Sequence, residues 1–310
     1  MTTASAPGKI ILFGEHAVVY GRPALAIPVT QVQATAKVTK ASRPGIWIEA
    51  PDISLFSDLA SLPSSHPLAA VIQGVFTALG IGSLPALTVQ ITSTIPVASG
   101  LGSGAAVSVA IVRALSEFLG HPLPEETISA LAYEVEKLHH GTPSGIDNTV
   151  ITYARPVYFV KDHPIETLQV GTPFTIVIGD TGIRAPTKES VGDVRKLWQA
   201  GPARWEKVFD GIGEIALKAR KVIESGEVQF LGPLMDENQL LLRELTVSCP
   251  ELDRLVKAAH RSGALGAKLS GGGRGGNMIA LVPQEKAPAI AEALMSAGAQ
   301  RTIVTTVKSN

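Results

Sequence analysis

Three glycines at alternate positions, Gly100, Gly102 and Gly104, stand in Ile95-Pro-Val-Ala-Ser-Gly-Leu-Gly-Ser-Gly-Ala-Ala106. The run Ala105–Leu119 that follows is apolar except at Ser108, Arg113, Ser116 and Glu117. This is the pattern of a glycine-rich loop opening a mostly buried helix. Glycine lets the main chain approach a ligand closely. A helix start adds unpaired N–H donors and a partial positive charge, which suits an anion such as phosphate. A tight turn before a core helix would use the same residues. Glu136 falls in the last turn of a predicted helix, where the dipole disfavours a carboxylate by about 0.3–1 kcal/mol. A positive partner is needed there, either Lys137 or His140 nearby or a bound cation. Asp147 lies in His140-Gly-Thr-Pro-Ser-Gly-Ile-Asp-Asn148, which reads as a turn-rich loop. Local hydrogen bonding accounts for an aspartate in a turn; a carboxylate placed at a reacting hydroxyl is the chemical alternative. Glu15 and His16 adjoin each other in an apolar context, and buried charges need partners. A salt bridge at a strand end would explain them. Finally, Lys268-Leu-Ser-Gly-Gly-Gly-Arg-Gly-Gly276 has five glycines in six residues between two short strands. That is more than a hairpin turn requires, although a flexible hairpin stays open. It permits close backbone approach to a ligand or to the first loop.

The rest of the chain bounds what such residues can serve. At 310 residues it can bury a large core and divide into two domains. Lys plus Arg number 27, and so do Asp plus Glu, so no global field favours nucleic acid or an anionic membrane. Neither is expected as a partner. With 45% hydrophobic residues and no polar low-complexity tract, disorder is not expected. The single cysteine, Cys249, excludes an intrachain disulfide and a cysteine zinc site. Its apolar neighbours suggest an inert core thiol. No apolar run approaches the ~18 residues of a membrane span, and MTTASAPGK lacks the apolar stretch of a signal peptide. A cytoplasmic protein is expected.

Periodicity then places the elements. Lys9–Phe13 reads as a strand, and Val32–Val38 alternates as a strand with one buried face, with Ile46–Ile48 as its candidate partner. Pro51–His66 is loop-like. Leu68–Leu79 has helical spacing, and Leu87–Ile91 alternates again. Gly120 ends the helix after the glycine loop. Pro124-Glu125-Glu126 opens the next helix, which runs to Gly141. Beyond strands at Val157–Val160 and Phe174–Ile178, helices are expected at Lys188–Gln199, Ala203–Glu224, Val228–Leu245, Pro250–Ser262 and Gln284–Ala297. Strands are expected at Ala267–Leu269, Met278–Val282 and Thr302–Val307. The pattern is α+β, with a domain boundary near residue 170.

Common nucleotide signatures are missing: there is no Walker-type phosphate loop and no protein-kinase motif. Gly100–Ala105 fits the looser G-x-G-x-x-A pattern, but Pro96 interrupts the strand that a dinucleotide fold runs into its first glycine. Four ordered segments carry a more specific resemblance. Pro7-Gly-Lys-Ile-Ile-Leu-Phe-Gly-Glu-His-Ala-Val-Val-Tyr-Gly21, Pro96–Ala106, His140–Asn148 and Lys268–Gly276 resemble the signature segments of the GHMP small-molecule kinases, and they cover nearly the whole chain. Within the family, the first and third segments are most similar to the members that phosphorylate mevalonate.

The resemblance implies an α+β, two-domain GHMP kinase fold. A ribosomal-protein-S5-like, ATP-binding N-terminal domain (1–170) would be joined to a ferredoxin-like C-terminal domain (171–310). It implies transfer of phosphate from ATP to the primary hydroxyl of mevalonate, with Mg²⁺ as cofactor, and it is compatible with a homodimer. By matched position, Asp147 would be the catalytic base and Lys9 its cationic partner. Pro96, Ser99, Gly100, Leu101, Gly102, Ser103, Gly104, Ala105 and Ala106 would wrap the ATP phosphates. Glu136 would bind Mg²⁺, with Ser103 as a second candidate ligand. Glu15 and His16 would line the substrate side, and Thr187, in Arg184-Ala-Pro-Thr-Lys188, would lie near the transferred phosphate. Relatives that phosphorylate phosphomevalonate or another small alcohol, or that decarboxylate diphosphomevalonate, are the competing readings. An already phosphorylated substrate calls for more basic residues than Glu15-His16 supplies. Two departures stand out. Gly104 replaces a serine whose hydroxyl is a Mg²⁺ ligand in the mevalonate-phosphorylating members, and Arg274 stands where glycine is usual. That arginine either reaches phosphates or points to solvent.

Overall fold

The computed structural model describes residues 1–96, 99–140, 143–184 and 186–309, with His139 and His140 by backbone only. Val97 and Ala98 of the first glycine stretch, Gly141 and Thr142 before Asp147, and Ala185 before Thr187 lie outside the described residues. The chain forms two compact units interleaved along the sequence. One is Met1–Gly8, Val32–Val97 and Gly102–Ala154; the other is Lys9–Gln31, Ala98–Leu101 and Arg155–Asn310.

In chain order the first elements are β1 (Thr2–Phe13), β2 (Ala24–Lys40), β3 (Ile46–Ala50), β4 (Leu55–Asp58), α1 (Pro67–Ala78), β5 (Leu87–Ser93), α2 (Ser103–Phe118), α3 (Glu125–His140) and α4 (Ile146–Tyr153). In the first unit the strand order is β4-β3-β5-β2. Ala34–Lys40 of β2 run antiparallel to Ser93–Leu87 of β5. The alternation at Val32, Ala34, Ala36 and Val38, and at Leu87, Val89 and Ile91, does bury one face. β3 pairs differently from the expectation. It lies parallel to β5 and antiparallel to β4, not beside β2. The edge strand β4 itself falls within the stretch expected to be loop. α2 is buried along most of its length, with Ala105, Ala106, Val109, Ala110, Val112 and Ala114 fully covered. Its small side chains let α1, α3 and α4 pack closely on it.

The remaining elements are β6 (Val157–Phe159), β7 (Glu166–Thr167), β8 (Phe174–Asp180), α5 (Thr187–Ala200), α6 (Pro202–Ser225), α7 (Leu231–Glu244), α8 (Pro250–Arg261), β9 (Gly266–Ser270), β10 (Asn277–Val282), α9 (Ala287–Ser296) and β11 (Arg301–Val307). In the second unit β11-β8-β10-β9 form an antiparallel sheet. Numbered by chain order, the strands run 4-1-3-2, the ferredoxin-like arrangement. β9 and β10 are buried at every position, which explains why they carry no alternation. Phe209 and Ile212 of α6, Leu255 of α8 and Ile290 of α9 pack with Met278 and Ala280 of β10 in one core. Cys249 is partly exposed at the start of α8, not in the core as expected; burial still pushes its thiol up. Among the described residues, no helix is long and apolar enough to cross a membrane.

Candidate active site

The first unit brings Gly102–Ala106, Glu136 and Asp147 together on three mutually packed helices, α2, α3 and α4. Both α2 and α4 start from a left-handed glycine, Gly102 at φ 76° and Gly145 at φ 93°. A side chain there would be strained. Neither glycine caps its helix with a side chain, and in α4 the Ile146 N–H donates to Ser144 Oγ at 3.4 Å; a helix start of this kind suits an anion. Asp147 is not in a loop, as its turn-rich surroundings suggested. It stands in the first turn of α4, where the helix dipole favours negative charge. Asn148 Nδ2 donates to Ser129 Oγ (2.8 Å), which ties α4 to α3. The Arg113 guanidinium donates to the Thr152 carbonyl and ties α2 to the other end of α4.

Glu136 is 4% exposed on α3. A Cβ placed on Gly104 would lie 3.1 Å from Glu136 Oε1, so the first turn of α2 rests directly on that carboxylate. Lys137, the neighbouring cation, pairs with Glu134 at 2.6 Å. Among the described residues, no three His, Cys, Asp or Glu side chains group as a metal site. Pro96 also belongs to this unit.

The second unit brings together Lys9, Glu15, His16, Ser99, Gly100, Leu101 and Thr187. Lys9 is buried on β1, and its N–H donates to the Leu101 carbonyl at 2.9 Å. The Glu15 carboxylate and the Lys268 ammonium form an ion pair with both side chains fully buried. Lys268 Nζ also donates to the Leu269 carbonyl at 2.7 Å. Burial pushes the carboxyl up and the ammonium down, so each charge depends on the other. His16, at φ 61°, donates from Nε2 to the Gly272 carbonyl at 3.1 Å. Burial lowers its pKa to about 4, so the ring is neutral at pH 7.

The second glycine run lies against the first loop. Asn277 Nδ2 donates to the Ser99 carbonyl at 2.6 Å, and a Cβ on Gly276 would lie 3.1 Å from that same oxygen. Ser270 Oγ donates to the Ile11 carbonyl at 2.8 Å and joins β9 to β1. Thr187 opens α5, with its hydroxyl 3.3 Å from where a Gly272 Cβ would be. Sequence reasoning did not assign Lys268, Ser270 or Asn277 to the site. One signal was present for Lys268: it is the only charge in the strand Gly266–Ser270, and Glu15 is the other charge in an apolar context.

The GHMP kinases N terminal domain model matches residues 68–155, and the GHMP kinases C terminal model matches residues 219–300. The mevalonate kinase of Thermococcus sibiricus is 41% identical over 313 residues, covering 95% of this chain and 93% of its own length. That of Thermococcus onnurineus is 41% identical over 317 residues, with the same coverages. The crystal structure of L. major mevalonate kinase in complex with R-mevalonate superposes with a TM-score of 0.86 at 31% identity, covering 100% of this chain and 97% of that one. Two family models that account for more than half of the residues, and relatives matched along nearly the full length, show that the chain belongs to the GHMP kinase family.

Proposed function

We propose that this chain transfers the γ-phosphoryl group of ATP to the primary hydroxyl of mevalonate, giving 5-phosphomevalonate. The observation that carries it is the extent of the likeness: a mevalonate kinase matches 95% of the chain at 41% identity, and the superposed L. major mevalonate kinase covers 100% of it. Asp147 accepts the hydroxyl proton as the phosphoryl group arrives, and Lys9 stabilises the developing alkoxide. N–H groups of the glycine loop and the first turn of α2, within Ser99–Ala105, hold the phosphates, and Ala106, whose N–H closes that turn on the Gly102 carbonyl, backs them. Phosphoryl transfer needs mainly such positioning and charge neutralisation. His16 lines the acceptor side through its ring and Glu15 through the backbone that it anchors, and Thr187 stands near the transferred phosphate. A cytoplasmic location goes with these roles. The test is an ADP-release screen with mevalonate, phosphomevalonate, homoserine and galactose. Mevalonate should give the highest kcat/KM, and a clear preference for another acceptor would overturn the substrate assignment.

The residues present fit a magnesium ion. Mg²⁺ keeps several waters and takes one or two carboxylates plus substrate phosphates, and Glu136 supplies one carboxylate beside the first turn of α2. Ser103, which opens α2 one residue before Gly104, is the second candidate ligand. A bound Mg²⁺ would neutralise phosphate charge. Two variants test the assignment. Glu136→Gln should raise the free Mg²⁺ needed for half-maximal rate severalfold. Gly104→Ser should lower it, because residue 104 is in ordinary helical backbone and its hydroxyl would land beside Glu136. An unchanged Mg²⁺ dependence in Glu136→Gln would remove that residue from the metal site.

A further inference from the structure

Arg274 is the single side chain in the run Gly271–Gly276, and it sits at φ 59°, a conformation that strains an L-residue. The surroundings over-determine it. Its N–H donates to the Val247 carbonyl at 2.6 Å, its Nε donates to the Thr246 carbonyl at 3.4 Å, and its Nη1 meets Asp193 Oδ2 at 2.5 Å. The run has no room to shift there, because a Cβ on Gly273 would strike the Val247 carbonyl oxygen at 2.0 Å. Asp193 lies on α5, six residues past Thr187 and so about 9 Å along the helix. Lys196 and Arg274 together hold its carboxyl at about 2, so it is charged throughout the working range. Two residues before Arg274, Gly272 faces both the Thr187 hydroxyl and the His16 ring. One short run therefore fixes α5 at one point and meets the head of α5 at another.

We propose that Arg274 and Asp193 form a latch that positions Thr187 against the second glycine run, making Arg274 a positioning residue and not a phosphate ligand. The latch rests on the placement of Thr187 near the transferred phosphate. The pair is partly exposed, with side-chain exposures of 34% and 39%, so its charge contributes little to global stability. Its effect lies in geometry, where small misplacements cost rate.

Stability and rate should therefore separate. Arg274→Gly removes the strained side chain and should leave Tm unchanged or higher, yet lower kcat on the order of 10- to 100-fold. Asp193→Asn, which leaves the glycine run untouched, should lower kcat to a similar degree, with Arg274→Lys partly active. The deciding measurement is a double-mutant cycle in full-length protein. In a Thr187→Ala background, Arg274→Gly should cause no further loss. Multiplying losses would mean that Arg274 acts on the phosphates directly, and wild-type rates in Arg274→Gly and Asp193→Asn would mean that it acts on nothing; either result overturns the latch. The cycle is run with whichever acceptor the wild-type protein prefers, so a wrong substrate assignment shows in the acceptor screen and a wrong latch shows only in the cycle.

Discussion

Asp147→Asn is expected to lower kcat by roughly 10²- to 10⁴-fold, the usual cost of removing a general base. The substitution keeps the size of the side chain and its place in the first turn of α4, and gives up only the about 0.3–1 kcal/mol that the helix dipole grants a carboxylate there. The ties of Asn148 to Ser129 and of Arg113 to Thr152 remain, so the helix should stay where it is. ATP affinity, measured with a fluorescent ATP analogue, should stay close to wild type, because the phosphate-binding turns are untouched. Near-wild-type turnover would reduce Asp147 to a helix-start residue. Lys9→Met is the companion variant. If it lost ATP binding and kept turnover, Lys9 would belong with the phosphates instead of the reacting hydroxyl.

Lys268→Met is expected to give the largest loss of stability. It strands the Glu15 carboxylate, fully buried, without its counter-charge. Removing one partner of a buried pair costs roughly 3–5 kcal/mol. At about 2.1 cal/mol/K of unfolding entropy per residue, 310 residues give about 1.5 °C per kcal/mol, so Tm should fall by roughly 5–8 °C. The double variant Glu15→Gln/Lys268→Met removes both charges and should recover much of that loss, since well-packed neutral replacements of buried pairs are often tolerated. Thermal unfolding of the three proteins decides. A single variant as stable as wild type would mean that the stranded carboxylate finds other compensation. Because the pair joins the segment after β1 to β9, the single variant should also lose activity even where it stays folded.

Local pattern makes much of this molecule legible in its sequence. The α2 helix follows from a glycine loop leading into a small-residue apolar run, and β5 follows from strict alternation. The α4 helix is not legible in the sequence, because Ile146-Asp-Asn-Thr-Val-Ile-Thr-Tyr153 is rich in β-branched and turn-favouring residues. Packing of Ile146, Val150 and Ile151 overrides that propensity. Adjacency in sequence points β3 to β2, which is not its partner. β5, from beyond α1, comes to lie between β2 and β3, and short-range pattern carries no sign of such an insertion. The Glu15–Lys268 pair spans 253 residues, and only the fold could join two charges that each look anomalous in their own segment. The sequence alone leaves Arg274 open between phosphates and solvent. Asp193, on a helix 81 residues earlier, takes it instead.

The most direct test of the central claim is the product itself. Purified protein would be incubated with ATP, Mg²⁺ and R-mevalonate, and the product examined by mass spectrometry and by ³¹P–¹H correlation NMR. The expected result is one added phosphate coupled to the methylene protons of C5, formed with equimolar ADP. Phosphate on the tertiary hydroxyl, or ADP release that leaves mevalonate unmodified, would contradict it.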